Sequence, residues 1–273
     1  MNEIRPTEEA VFNLQTGIGE VQIPLEEKHF FDITGYLVLE DLLTENQVAE
    51  AQSIVARAIK DQSDERGDLP GHPTLGRNNI AERGGVVEDA MALPVVLDRV
   101  HQFIWGKQYR LIGSRAILNV PGMNSRLTQG GQAAPRRYAK YRCFNDGQFR
   151  CLMITALIAL SDTSAGNGAF CVIPASHKAN LPHPYESTCL DTIGPLKPIP
   201  LRPGSGVLYT ESVSYGFKPP ADRTDTWLNY MYGPSYMLNW PGCEPSSEWR
   251  DRVAHDQAKS HLVSNAYYHP TDL

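Results

Sequence analysis

Apolar positions follow two spacings along the chain, and the change falls near residue 109. Before it the period is helical. Thr44-Glu45-Asn46-Gln47 has the form of a capping box, and Val48, Ala51, Val55, Ala58 and Ile59 follow on one helical face, which predicts a helix over about 44–62. A second helix is predicted over about 88–105, interrupted or started at Pro94, with Val96, Leu97, Val100 and Ile104 on one side. Residues 1–28 read as an irregular arm, and 30–39 as a segment that ends in a short apolar strand. Residues 63–87 are rich in Gly, Asp, Arg and Asn and read as a long loop, of the length that functional lids often have.

From Tyr109 onward the texture is that of strands. Segments 109–120, 138–145, 149–160, 168–174, 196–201, 206–217 and 225–237 are rich in β-branched, aromatic and Leu residues, with Gly, Pro, Asn or Asp between them. Asn145-Asp146-Gly147 predicts a hairpin turn, because Asp-Gly supplies positive φ angles cheaply. Short strands in such succession predict a barrel or jelly roll. A last helix is expected over about 247–265, packing Trp249, Val253 and Leu262. With no repeat or linker to divide it, the chain reads as one domain: a helical part over 1–108, a β-barrel core over 109–237, and a helix and tail over 238–273.

Composition narrows the function classes. Apolar residues make up 41% of the 273, enough for a sizeable core. A formal charge of −6 argues against nucleic acid or an anionic membrane as partner. No apolar run reaches the length of a bilayer span, and the polar N-terminus MNEIRPTEEA does not read as a secretory signal. The five cysteines, Cys143, Cys151, Cys171, Cys189 and Cys243, form no CxxC pair and read as reduced, mostly buried thiols of a cytoplasmic protein.

Candidate chemistry gathers in two stretches. One runs Leu160-Ser161-Asp162 through Gly166-Asn167-Gly168 to Pro174-Ala175-Ser176-His177-Lys178; the other runs Pro203-Gly204-Ser205-Gly206 through Glu211 to Ser214-Tyr215-Gly216. With Gly35-Tyr36-Leu37-Val38-Leu39 ahead of a capped helix and Tyr267-Tyr268-His269-Pro270 at the end, they resemble the phytanoyl-CoA dioxygenase family in order and spacing. The resemblance implies a mainly β fold with flanking helices around a double-stranded β-helix (jelly-roll, cupin-like) core. It implies C–H oxidation with Fe(II), 2-oxoglutarate and O₂, the iron held by two imidazoles and one carboxylate and 2-oxoglutarate by an Arg.

The residues at those positions differ. Gln129 stands at the first His position and Gly131 at the carboxylate position, within Leu127-Thr128-Gln129-Gly130-Gly131-Gln132. Tyr215 stands at the second His position. Asp225 or Thr226 stands where the Arg is expected; Arg223, two residues earlier, keeps the same strand face and is the candidate for 2-oxoglutarate. No His-x-Asp or His-x-Glu pair occurs. His255 and His261 are six apart, a poor helical ligand spacing. His177 reads as a loop-ordering residue, and His72 as a residue that could reach a pocket from the long loop. Tyr138, Tyr141 and Arg142 read as half-buried strand residues, and Arg136-Arg137 as solvated. Glu211 and Tyr215 share a strand face and form either a hydrogen-bonded barrel pair or an acid/base couple.

Three readings stay open. The first is a family member without iron that serves as a non-catalytic partner of a homologous catalytic subunit, or as a homodimer, in small-molecule metabolism. The second is a metal-independent isomerase, cyclase or hydrolase using Tyr215, Gln129 and Glu211. The third is an Fe(II)/2-oxoglutarate hydroxylase with unusual ligands. Under the first two no cofactor is expected; under each, the resemblance implies a hydrophobic small molecule in the barrel.

Overall fold

A computed structural model describes residues 23–61, 75–104, 108–123, 126–128, 130–131, 141–143, 149–163, 167–185 and 189–267. Helix α1 (Leu25–Thr34) leads into strand β1 (Tyr36–Leu39) through Gly35, whose φ of +85° closes the helix with its N–H on Phe31 O. Helix α2 (Glu45–Lys60) carries the expected capping box between Thr44 and Gln47. Then come β2 (Leu75–Asn78), α3 (Val86–Asp89) and α4 (Pro94–Phe103), with Pro94 in the first turn, where its missing N–H costs nothing. The strands that follow are β3 (Tyr109–Asn119), β4 (Tyr141–Cys143), β5 (Phe149–Cys151), β6 (Ile154–Ala159), β7 (Phe170–Ile173), β8 (Lys197–Ile199), β9 (Gly206–Thr210), β10 (Ser214–Phe217) and β11 (Asp225–Pro234). Helices α5 (Ser247–Val253) and α6 (Gln257–Leu262) end the described chain.

The sheets are antiparallel. A six-stranded sheet runs β1-β9-β6-β11-β3-β2, a three-stranded sheet runs β10-β7-β8, and β4 pairs with β5. Side-chain alternation gives the large sheet two working faces. Its outer face, with Leu37, Ile154, Ile158, Leu208 and Leu228, joins the helices in one apolar core. There the buried hydroxyls of Tyr230 and Tyr232 donate to the carbonyls of Val87 (2.7 Å) and Met91 (2.8 Å). Its inner face, with Tyr36, Leu157, Tyr209, Val207, Ile117 and Trp227, closes against Phe170, Val172, Ile199 and Phe217 of the small sheet. Two facing antiparallel sheets with flanking helices form the double-stranded β-helix.

Several elements depart from expectation. The long loop is shorter than 63–87, because β2 pairs with β3 as an edge strand; four residues with a central Gly give no alternation to read. The 88–105 helix begins earlier and is divided among α3, a 3₁₀ turn at 90–92 and α4. The C-terminal helix is two helices: Asp256 caps α6, its carboxylate accepting from Lys259 N at 3.0 Å. Segments 149–160 and 206–217 each fold as two strands. Part of the expected N-terminal arm is helical, as α1; Phe31 is its one buried residue, so its periodicity is faint. The turn at 145–147 lies outside the described residues, but β4 and β5 pair on either side of it, Cys143 opposite Phe149. Cys151, Cys171 and Cys243 are buried free thiols and Cys189 is exposed. Among the described residues no helix is long and apolar enough to cross a membrane.

Candidate active site

The chain crosses from the large sheet to the small one between β9 and β10, and the candidate site is built on that corner. Thr210 ends β9, Val213 N closes a turn onto Thr210 O at 3.0 Å, and Glu211 N is held by Met153 O at 3.2 Å. The turn leaves the Glu211 side chain only 7% exposed. One carboxylate oxygen accepts from Thr155 Oγ1 on β6 at 2.5 Å, and the other from the Tyr215 hydroxyl on β10 at 3.1 Å. The sequence-predicted pair is therefore in contact.

Aromatic rings wall this pair. Tyr215 is half-buried against Tyr209 and Phe170, with ring centroids at 4.9 and 5.7 Å. Burial, then the neighbouring Glu211 charge, pushes the Tyr209 phenol well above its ordinary pKa, so it stays protonated beside Tyr215 and Thr155. The arrangement is a carboxylate, two phenols and a hydroxyl beside the apolar packing between the two sheets.

The other edge of β10 carries the segment in which the first ligand motif was sought. Thr128 N donates to Tyr215 O at 2.8 Å, Tyr215 N to Thr128 Oγ1 at 2.9 Å, Gly130 N to Ser214 Oγ at 3.0 Å and Gly131 N to Ser212 O at 2.8 Å. Gln129 itself lies outside the described residues, but its neighbours on both sides are fixed against Tyr215 and Ser214. Gly131 has φ +65°, and a Cβ there would sit 2.2 Å from Ala179 O. A side chain at position 131 is thus sterically closed in this backbone.

Arg223 is not presented to this chamber. It precedes β11, is partly exposed, and donates to Asp225 Oδ1 at 2.8 Å and to the Asp162 carbonyl. His183 is committed to the backbone. His183 Nε2–H donates to Thr128 O at 3.0 Å while its Nδ1 accepts from Tyr185 N at 3.2 Å. His72 lies outside the described residues. Among the described residues no group of three His, Cys, Asp or Glu could hold a metal ion. The one carboxylate at the chamber, Glu211, is engaged by two hydroxyls, so the described donor set does not fit iron, which needs imidazoles.

His177 orders a loop, as its sequence context suggests. It is fully buried, donates from Nε2 to Asp32 O at 2.9 Å, packs edge-on to Tyr141, and aims an unpartnered Nδ1 at Gly35. Burial lowers its pKa to about 4, against 6.5 when free. Between these values the unfolded chain binds the extra proton, so stability rises with pH; the contribution is complete above 6.5 and is lost as pH falls toward 4. The expected loss is about 3 kcal/mol. Urea unfolding at pH 7 and pH 4.5 is expected to show a decline in the wild type that is markedly smaller in His177→Asn. Equal declines would remove His177 as the cause.

A sequence model described as "Phytanoyl-CoA dioxygenase (PhyH)" matches residues 31–216 of the 273. A comparison with curated proteins gave no match. Among solved structures, HygX from Streptomyces hygroscopicus with nickel and 2-oxoglutarate bound is 22% identical, with a TM-score of 0.68 over 84% of this chain and 94% of that one. The non-heme alpha ketoglutarate dependent epimerase SnoN from nogalamycin biosynthesis is 16% identical, with a TM-score of 0.56 over 83% and 88%. The carbocyclase SnoK from the same biosynthesis is 14% identical, with a TM-score of 0.55 over 78% and 85%. At these identities the likeness is one of fold.

Proposed function

The chain belongs to the phytanoyl-CoA dioxygenase family, and from that premise we propose that it acts on a small molecule of secondary metabolism by proton transfer through Tyr215 and Glu211, in place of the family's iron chemistry. The observation that carries the reading is the part-buried hydrogen bond from the Tyr215 hydroxyl to Glu211 at 3.1 Å, at the corner between the two sheets. That contact favours proton transfer over the non-catalytic partner reading, which needs no carboxylate–phenol couple there.

The chemistry follows from which atom holds which proton. A carboxylate anion only accepts, so the phenol proton points at Glu211 Oε2 and the Tyr215 oxygen is the acceptor offered to a ligand. A ligand X–H proton passes to Tyr215 Oη as the phenol's own proton passes to Glu211. Charge then moves from the carboxylate to the ligand, and Thr155 Oγ1 holds the second carboxylate oxygen throughout. Return of the proton at a different atom gives an isomer; addition of the ligand anion to a carbonyl or conjugated alkene of the same molecule, with Tyr215 returning its proton to the oxygen or carbon that receives the π electrons, gives a ring. Tyr215 is only half-buried, so its hydroxyl exchanges with solvent and carries solvent hydrogen to the ligand.

The solved neighbours support the substrate class. HygX has been crystallised with hygromycin B, and SnoN and SnoK belong to nogalamycin biosynthesis. They also support a second reading, an Fe(II)/2-oxoglutarate enzyme, since HygX structures hold iron or nickel with 2-oxoglutarate. The two readings separate in D₂O. A host metabolite extract is incubated with the protein and a chelator, and mass spectra are searched for deuterium uptake. Labelling of one or a few metabolites that persists with chelator is the expected result. Products gaining oxygen, formed only after Fe(II) and 2-oxoglutarate are added, would overturn it.

A further inference from the structure

On the inner face of the large sheet, two facing side chains keep buried polar atoms without hydrogen-bond partners among the described residues. Arg115 on β3 is directly opposite Asn229 on β11, and Asn229 is two residues from Trp227, which faces the barrel core, so both side chains point inward. The Arg115 Nε and Nη2 atoms are buried and have no hydrogen-bond partner among the described residues, and the same holds for Asn229 Oδ1. The guanidinium lies 5.8 Å from the centre of the Trp240 ring and faces the Cys243 thiol. Among the described residues no carboxylate pairs with it. Buried N–H donors left unmatched are costly, so a site that keeps them is shaped for an acceptor.

The pair of atoms left open identifies the acceptor. Nε–H and Nη2–H are parallel donors along one edge of the guanidinium, the edge that grips both oxygens of a carboxylate. The Asn229 amide, 6% exposed, turns its Nδ2 toward the same anion by a rotation about its last bond. The proton couple sits on the same inner face. Met231 lies two residues beyond Asn229 and is paired with Thr155, which holds Glu211. Strand spacing and rise put the Arg115 and Thr155 backbones roughly 12 Å apart, a gap that two inward side chains reduce to the span of one small molecule.

We infer that Arg115 and Asn229 form a carboxylate-binding end of the barrel chamber, so that the ligand on which Tyr215 and Glu211 act carries a carboxylate. The inference deepens the proton-transfer reading by naming the ligand class and the group that anchors it. Arg115 is a binding residue in it.

The test is binding of simple probes, glutarate and benzoate, each against its neutral amide, by titration calorimetry and ligand-observed NMR. At least one acid is expected to bind the wild type tenfold or more tightly than its amide. Arg115→Met is expected to lose that preference, and Arg115→Lys to keep a fraction of it, since an ammonium lacks the fork. Asn229→Asp preserves volume and sets a negative charge beside the probe; it is expected to abolish acid binding, and it decides the matter if Arg115→Met does not fold. Acids and amides binding alike, no acid binding, or acid binding unchanged in Arg115→Met and Asn229→Asp would each overturn the inference. Arg115-dependent acid binding without deuterium labelling would remove the proton-transfer reading and leave the anion site standing; labelling of neutral metabolites alone would do the reverse.

Discussion

Tyr215→Phe is expected to lose at least a hundredfold in the rate of deuterium uptake while unfolding within about 1 kcal/mol of the wild type. The substitution removes one oxygen and keeps the ring against Phe170 and Tyr209. Glu211 retains its bond from Thr155, so the corner between β9 and β10 stays in place. What disappears is the atom that receives the ligand's proton. Glu211→Gln is expected to give the same loss, because an amide cannot take the phenol's proton. General acid–base groups contribute about 10²–10⁴ in rate, which sets the size of the effect. A Tyr215→Phe protein that labels at the wild-type rate would reduce the pair to barrel architecture. Labelling is followed at several pH values, so that a loss of proton transfer is not confused with a shifted optimum.

Glu88→Ala is expected to destabilise the fold by about 3–5 kcal/mol, lowering the midpoint of thermal unfolding by about 10 °C. Glu88 lies on α3, is 7% exposed, and gathers the C-terminal helices onto the core. One of its oxygens accepts from Trp249 Nε1 at 3.0 Å and from Arg252 at 2.7 and 3.1 Å; the other accepts from Lys259 Nζ at 3.2 Å. Removing the carboxylate leaves a fully buried indole N–H without its acceptor and Arg252 without its carboxylate, while Lys259 keeps Asp89. Calorimetric unfolding of Glu88→Ala measures the loss. A change under about 1 kcal/mol, the range of exposed ion pairs, would show that apolar packing of Trp249, Val253 and Leu262 holds α5 and α6 without it.

Much of the barrel was legible because its strands bury one face or both, and β-branched and aromatic runs mark such strands directly. β3, β6, β7, β9 and β11 fall within the predicted segments. The corner inside 149–160 was not legible because Leu152-Met153 keeps it apolar, and the corner inside 206–217 because Glu211-Ser212-Val213 holds no Gly, Pro, Asn or Asp to mark a turn. The capping box of α2 was readable because its bonds are local; α1 was hidden because it rests on a single buried residue, Phe31. Glu211 and Tyr215 were expected on one strand face, but Glu211 lies in the turn between β9 and β10, so their contact comes from the corner and not from strand parity. Thr155, Tyr209 and Arg115 were missed, as each acquires its meaning from register across the sheet, and register is set by pairings more than 50 residues apart such as Thr155 with Tyr209 and Arg115 with Asn229. Arg110 shows the same limit. It is fully buried and anchors β3 to the C-terminal segment through Met237 O, Asn239 Oδ1 and Ser264 O, none of which its sequence neighbourhood announces.

The replacement of iron chemistry at this barrel is tested most directly by anaerobic titration of the purified protein with Fe(II), with and without 2-oxoglutarate, read by metal analysis and by the visible charge-transfer band of an iron–2-oxoglutarate complex. If Tyr215 and Gln129 stand at the imidazole positions, as the sequence implies, the expected result is no stoichiometric iron and no band. One equivalent of tightly held Fe(II) that develops the band on adding 2-oxoglutarate would contradict it and return the protein to the oxygenases of its family.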